Sequence, residues 1–247
     1  MIGGVRQIVR FNWPFYAAAA AGVAVAPLTV RVIPFGATVR LAADAVSAIL
    51  GFWIVSSLAA SWLVYDWSPL MRWTWIPSAL GAPPRTWVNI HAGFDESTPA
   101  LQALLKDSRG RVFDIFDPAE MTEPSIARAR RLSSNPIAPE RADFRRLPAA
   151  DGSIDAALLL LAAHELRTEP ARRDFFRELH RVLSPGGIVV VAEHLRDPAN
   201  FLAFGPGFLH FHSRRTWTRV FARTDFAIAR EFAMTPFVRV FVLRRTP

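Results

Sequence analysis

Acid-base chemistry in this chain is concentrated in three short clusters, His164-Glu165, Glu193-His194 and His210-Phe211-His212. Imidazole titrates near neutrality and can take or give a proton at working pH, and a carboxylate beside it can fix the ring tautomer. His164, Glu165 and His194 are therefore the candidate catalytic residues, suited to orienting and deprotonating a hydroxyl or an amine. His180 falls within a helical pattern and reads as a packing or surface residue. A metal site of His194, His210 and His212 with Glu193 or Glu165 would suit zinc or iron. A His-x-His spacing is too common to assign one, so no metal is expected. Asp117 and Asp143 fall in loops, where aspartate commonly caps turns but can also accept a hydrogen bond on each oxygen. The sequence contains no cysteine, which excludes disulfides and thiolate metal sites.

These groups need a scaffold, and from residue 86 onward strand and helix patterns alternate. Strands are expected at 87–92, 112–116 and near 142–144, with helices at 99–106 and 119–132 between them. The run 154–161 is apolar on both faces, as a central parallel strand covered by helices must be. A helix at 169–183 then presents Phe175, Phe176, Leu179 and Val182 on one side, and Pro185-Gly186-Gly187 turns the chain into a strand at 188–193. A helix at 214–223 and two alternating segments, 226–232 and 237–243, complete the set. Repeated strand-helix units imply a parallel sheet with helices on both faces, and ligands in such sheets bind beyond the carboxyl ends of the strands. His164, Glu165 and His194 lie at two such ends.

The segments Leu147-Pro148-Ala149-Ala150-Asp151-Gly152-Ser153-Ile154-Asp155 and Leu183-Ser184-Pro185-Gly186-Gly187 carry a resemblance. They are similar to the second-half signatures of class I S-adenosylmethionine-dependent methyltransferases, over roughly residues 86–247 and most closely over 143–193. The resemblance implies an α/β, Rossmann-like seven-stranded methyltransferase sheet ending in an antiparallel hairpin, with S-adenosyl-L-methionine as cofactor. The family's first motif, an acid, an apolar residue and G-x-G-x-G, aligns with Asn89-Ile90-His91-Ala92-Gly93-Phe94-Asp95. Only the middle glycine is kept. The implied cofactor residues are Gly93, Asp117 for the ribose hydroxyls, Asp143 for the adenine amino group and Phe144 beside its ring. Asp155 matches a strand-opening acid of structural role. In this family the region corresponding to 200–209, here apolar and aromatic, often covers the acceptor.

Ahead of this domain the chain is unusually apolar. Between residues 11 and 30 the one strongly polar side chain is Asn12, and between 41 and 65 the one charge is Asp44. About twenty helical residues span the hydrocarbon core of a bilayer, so two transmembrane helices joined by a short loop are expected. A signal peptide with Ala24-Val25-Ala26 as its cleavage site, or two buried helices of a soluble protein, are the alternatives. Phe11, Trp13, Phe15 and Tyr16 flank the start of the first helix, and Trp62, Tyr65, Trp67, Trp73 and Trp75 the end of the second, so both groups would lie at the same interface, as one aromatic belt requires. Arg6, Arg10, Arg72 and Arg85 share that side, which puts both termini and the catalytic domain in the cytoplasm of a multi-pass membrane protein. Residues 1–65 are then a transmembrane hairpin, 66–85 an interfacial linker rich in tryptophan and proline, and 86–247 the methyltransferase-like domain.

The formal charge of +8 comes almost wholly from scattered arginine, Lys106 being the one lysine. No nucleic-acid motif accompanies it, and anionic headgroups suit it better. The expected partners are the lipid bilayer and a hydrophobic small-molecule acceptor. The expected activity is methyl transfer to that acceptor. A non-catalytic scaffold or sensor of the same fold, or a Rossmann-type oxidoreductase, would share the sheet. The latter needs a G-x-G-x-x-G turn for pyrophosphate, which is missing here.

Overall fold

The computed structural model describes residues 3–132 and 137–246; the expected domain limits at 1 and 247 lie outside them. The chain divides into two compact units, one of residues 1–67 with 197–208, the other of residues 68–196 with 209–247.

The first unit is built on two helices, α1 (Gly4–Val32) and α2 (Ala37–Ser61), the latter running on as a π-helical turn, Trp62–Trp67. Both are long and apolar enough to cross a membrane. Their apolar side chains face outward: Phe15, Val32, Leu41 and Val55 are all exposed. α1 departs from helical geometry at Asn12, two residues before Pro14, whose ring cannot continue the ladder of hydrogen bonds. The helices are tied near both ends. The Asp66 carboxylate accepts from the Gly4 and Val5 amides at 2.6 and 2.9 Å, where the orphan donors of α1 emerge. Arg31 pairs with Asp44 at 3.0 Å at the other end. Between them the Tyr16 and Ser57 hydroxyls meet at 2.7 Å.

The second unit holds a seven-stranded sheet in the order β3-β2-β1-β4-β5-β7-β6. Its strands are β1 (Thr86–His91), β2 (Arg109–Asp114), β3 (Glu140–Arg141), β4 (Ile154–Leu160), β5 (Leu183–His194), β6 (Phe226–Thr235) and β7 (Val238–Arg245). The first five pair in parallel, and β7 runs antiparallel to both β5 and β6. This is the expected doubly wound sheet with a hairpin edge. Helices α4 (Thr98–Leu104), α5 (Pro124–Leu132), α6 (Glu169–Val182) and α8 (Arg214–Ala222) connect the strands. Ala157, Leu158 and Leu159 of β4 have no exposed surface, and Phe175, Phe176, Leu179, Trp217 and Phe221 from α6 and α8 complete the core. Each buried leucine or phenylalanine among them contributes about 1.5–3 kcal/mol by leaving water.

Three expectations are corrected. The second strand starts at Arg109 and ends at Asp114, not at Phe116. The helix expected from 119 starts at Pro124, because proline is well placed at a helix start and Asp117 uses the preceding residues in a turn. Of residues 66–85, expected along a headgroup surface, part is buried in the sheet unit, while residues 81–83 are exposed. Leu70, Trp73, Ile76 and Leu80 are buried, the last two in the short helix α3 (Ile76–Leu80).

Candidate active site

The carboxyl edge of the sheet gathers His91 from β1, Asp114 from β2 and His194 from β5. After β1 the chain turns through Gly93, whose φ of 118° suits glycine. The Gly93 amide donates to Nδ1 of His91 at 2.9 Å, and burial holds the His91 imidazole below its ordinary range. Two of the three departures from the acidic, glycine-rich motif, Asn89 and Asp95, bond to each other. Asn89 Nδ2 donates to Asp95 Oδ1 at 3.1 Å, and the same oxygen accepts from the Ser97 and Thr98 amides at 2.9 and 3.0 Å. Together they close the loop onto the start of α4 (Thr98–Leu104).

Two cavities lie beside this loop. One of about 420 Å³ is lined by Asp114, Phe116, Arg130, Arg141, Ala142 and Asp143. The other, about 270 Å³, is lined by His91, Gly93, Asp95, Asp114, Arg130 and Pro139 among others. Arg130 belongs to both. Its guanidinium pairs with Asp114 at 2.9 Å and lies over the Phe116 ring at 4.2 Å. Its stem lies so close to Gly93 that a Cβ there would meet it at 2.1–2.7 Å.

The expected cofactor residues divide. Gly93 and Asp143 line the cavities. Asp117 and Phe144 do not appear in their walls. Asp117 accepts from the Ala119 amide at 2.9 Å as a turn cap, and Phe144 is buried in the core with Arg145 over its outer face. Asp114, which the sequence did not single out, ends β2 and lines both cavities. An adenosyl group fits this donor set. Gly93, the two oxygens of Asp114 and the Phe116 ring are the groups it would use, but Arg130 stands against all three and would have to move aside to admit it.

A second cluster sits past β4 and β5. Leu161, the residue after β4, has a φ of 56°, the left-handed region that costs a branched side chain on the order of 1–3 kcal/mol. The chain then makes a tight turn that carries His164 and Glu165. Glu193 of β5 has no exposed surface; it accepts from the Ala163 and His164 amides at 2.8 and 3.2 Å and meets His164 Nδ1 at 2.7 Å. His164 Nε2 is 3.3 Å from Glu165, and His210 packs edge-on against the His164 ring at 5.1 Å. Burial disfavours charge on His164, but the Glu193 and Glu165 carboxylates outweigh it and raise the imidazole well above neutrality. His210, buried beside that cation, is pushed down to about 3.

His194 stands apart from the pair: its Nδ1 lies 2.9 Å from the Phe237 carbonyl, and its ring stacks on Phe211 at 4.8 Å. Phe211 also meets the His164 ring edge-on. His212 turns inward to Arg172 at 3.0 Å and to the Leu166 carbonyl, with Trp217 against its ring. His180 lies 3.1 Å from the Thr246 carbonyl, away from both clusters.

Residues 101–191 match a family model described as a methyltransferase domain. No curated protein matches the chain. Among solved structures, the pyocyanin biosynthetic protein PhzM is similar with a TM-score of 0.59 at 18% identity, over 100% of this chain and 74% of that one. A SAM-dependent methyltransferase from Aquifex aeolicus is similar with a TM-score of 0.50 at 16% identity, over 66% of this chain and 82% of that one. One from Methanosarcina mazei gives 0.51 at 14% identity, over 69% and 96%.

Proposed function

We propose that this chain, whose residues 101–191 match a methyltransferase-domain model and whose sheet is seven-stranded, is a class I S-adenosylmethionine-dependent methyltransferase, anchored in a membrane and acting on a hydrophobic, membrane-resident small molecule. The observation that carries the reading is the pair of cavities at the ends of β1 and β2, one lined by Gly93 and the other by Asp143, which share Asp114 and Arg130. S-adenosylmethionine, when bound, supplies an electrophilic methyl on a sulfonium. The chain's own work is then to hold and orient. Asp114 would take the ribose hydroxyls, the role expected of Asp117, and Asp143 the adenine side. His164, Glu165 and His194 border the acceptor's side of the sheet edge, with His210 beside them. Because His164 Nδ1 is engaged by Glu193, its Nε2 is the atom turned toward Glu165.

Two further observations support the anchor and the class of acceptor. α1 and α2 expose apolar side chains along their length, which water does not favour and lipid does. The segment after β5 carries α7 (Pro198–Phe204), which packs on α2. Phe201 meets Trp53 edge-on at 5.7 Å, and the Ser56 hydroxyl lies 2.7 and 2.8 Å from the Leu202 and Ala203 carbonyls. We assign both termini to the cytoplasmic side from the aromatic and arginine flanks.

The test is transfer of labelled methyl groups from S-adenosylmethionine by the full-length protein in native membranes. Label should enter the lipid-extractable fraction, and alkaline carbonate should leave the protein in the pellet. Carbonate release would refute the anchor. Label confined to water-soluble products would refute the acceptor class. A second reading, a scaffold that keeps the fold without turnover, is favoured by the Arg130–Asp114 pair beside Gly93, and absence of S-adenosylhomocysteine binding would select it.

A further inference from the structure

We propose that His164, Glu165 and His210 form a three-ligand site for a divalent first-row transition ion of the zinc type. The three residues offer ligand atoms that all lie within 4.8 Å of one another. Nε2 of His164 and Nε2 of His210 stand 3.3 and 3.9 Å from the same oxygen, Glu165 Oε1. Zinc binds imidazole nitrogen and carboxylate oxygen at about 2.0–2.2 Å, which sets its ligands roughly 3–3.5 Å apart. Small side-chain rotations close that difference.

The surroundings are those of a metal-bound histidine. Such a ring gives its other nitrogen to a carboxylate or carbonyl, which fixes the tautomer and strengthens the ligand. Glu193 Oε2 stands 2.7 Å from His164 Nδ1 and is itself anchored by two backbone amides. An ion would take the place of the proton that Nε2 holds toward Glu165, while Nδ1 keeps its proton on Glu193. Glu123 lies 3.7 Å from Nδ1 of His210 and is placed for the same service. Arg167 joins the two ring-bearing segments from behind, its Nη1 donating to the His164 and His210 carbonyls.

An independent observation points to a ligand. Oε2 of Glu165 is buried with no hydrogen-bond partner among the described residues. A buried carboxylate oxygen left without a partner is costly, and a cation beside the two imidazoles, bound by Glu165 through both Oε1 and Oε2, would satisfy it. The donor set, two nitrogens and one carboxylate without thiolate, suits zinc or iron(II) and leaves coordination positions open. An oxygen of the acceptor would enter there, an extension that rests on the methyl-transfer reading, whereas ion binding does not. His194 and His212, held elsewhere by Phe211 and Arg172, are not ligands.

The test uses full-length protein in detergent, stripped with a chelator and titrated with Zn²⁺ by calorimetry and with Co²⁺ by visible absorption. One ion per chain is expected, with the intense absorption of low-coordinate cobalt. His210→Ala and Glu165→Gln should abolish the signal, and Glu193→Gln should weaken it about 10–100-fold. His180→Ala should leave it unchanged. Circular dichroism establishes that each variant folds, and the conservative His164→Gln takes the place of any alanine variant that does not. No binding by the parent, or binding that survives both His210→Ala and Glu165→Gln, would overturn the site and leave a hydrogen-bonded cluster only. S-adenosylhomocysteine is titrated into the same samples, so loss of the ion site and loss of the methyltransferase reading are separate results.

Discussion

Nη1 of Arg130 stands 3.0 Å from Oδ1 and 2.9 Å from Oδ2 of Asp114, so one guanidinium nitrogen spans both oxygens of the carboxylate that closes β2. Those are the oxygens that vicinal ribose hydroxyls would need. Arg130 and the cofactor therefore compete for Asp114. Arg130→Ala should tighten S-adenosylhomocysteine binding by a few-fold, since a partly exposed ion pair is worth up to about 1 kcal/mol. Asp114→Ala should weaken it by about 1–3 kcal/mol, the cost of an unpaired buried donor, while Asp117→Ala should have little effect. Calorimetric titration of the three variants reads all of this. Weaker binding by Arg130→Ala would make Arg130 a ligand contact.

Turnover should depend on the second cluster more than cofactor affinity does. His164→Ala or His210→Ala should lower the rate of methyl transfer by roughly 10²–10⁴-fold, the scale of a lost acid-base or positioning group. The affinity for S-adenosylhomocysteine should stay within about two-fold, because neither ring lines the cavities at Asp114. Single-turnover rates beside binding isotherms separate the two effects, and equal loss of both would place the cluster in the cofactor site.

The loop that replaces the glycine-rich motif should behave as one unit. Asn89→Ala and Asp95→Ala each remove part of one network, and each should cost about 1–3 kcal/mol in urea unfolding. Their double variant should cost clearly less than the sum, because both remove the same 3.1 Å bond. Additive losses would show that the two substitutions act independently.

Asp155 gives stability a dependence on pH. Burial works to raise its carboxyl, but hydrogen bonds from Ser184 and the Thr86 and Arg85 amides outweigh it and hold it below the usual carboxylate range. A group depressed on folding adds stability that is present above its unfolded value and is lost as pH falls through the folded value. Unfolding free energy should therefore drop below about pH 4, and Asp155→Asn should flatten that part of the profile. A wild-type slope retained by the variant would assign the effect to other carboxylates.

Most of the sheet was legible because β4 is a continuous apolar run and β6 and β7 alternate, two patterns that burial imposes directly. β2 misled because its first residues, Arg109-Gly110-Arg111, are polar and mostly exposed, while Ile115 and Phe116 carry the apolar run past the strand's end. That shift is why the sequence offers Asp117 for the ribose hydroxyls, whereas the acid that ends β2 is Asp114. Phe144 looked like a ring at a site because nothing local distinguishes a core aromatic from a binding one. His164 and Glu165 could be placed from the end of β4. The approach of His210 could not, because it depends on where the chain returns after α7 and on Arg167 binding both carbonyls.

The docking of α7 on α2 sets an order of events during synthesis. Ser56 and the carbonyls it contacts are 146 and 147 residues apart. At about 5–20 residues per second, the apolar pair α1 and α2 emerges roughly 7–30 s before the segment that completes its unit. The helices must therefore be sheltered in the interval without α7. Gly205, at φ 54° with Trp53 where a Cβ would stand, marks the point where the late segment turns away. Removing the first 67 residues would consequently do more than free an anchor, since it would leave residues 197–208 as an apolar tail inserted mid-chain with nothing to fold onto.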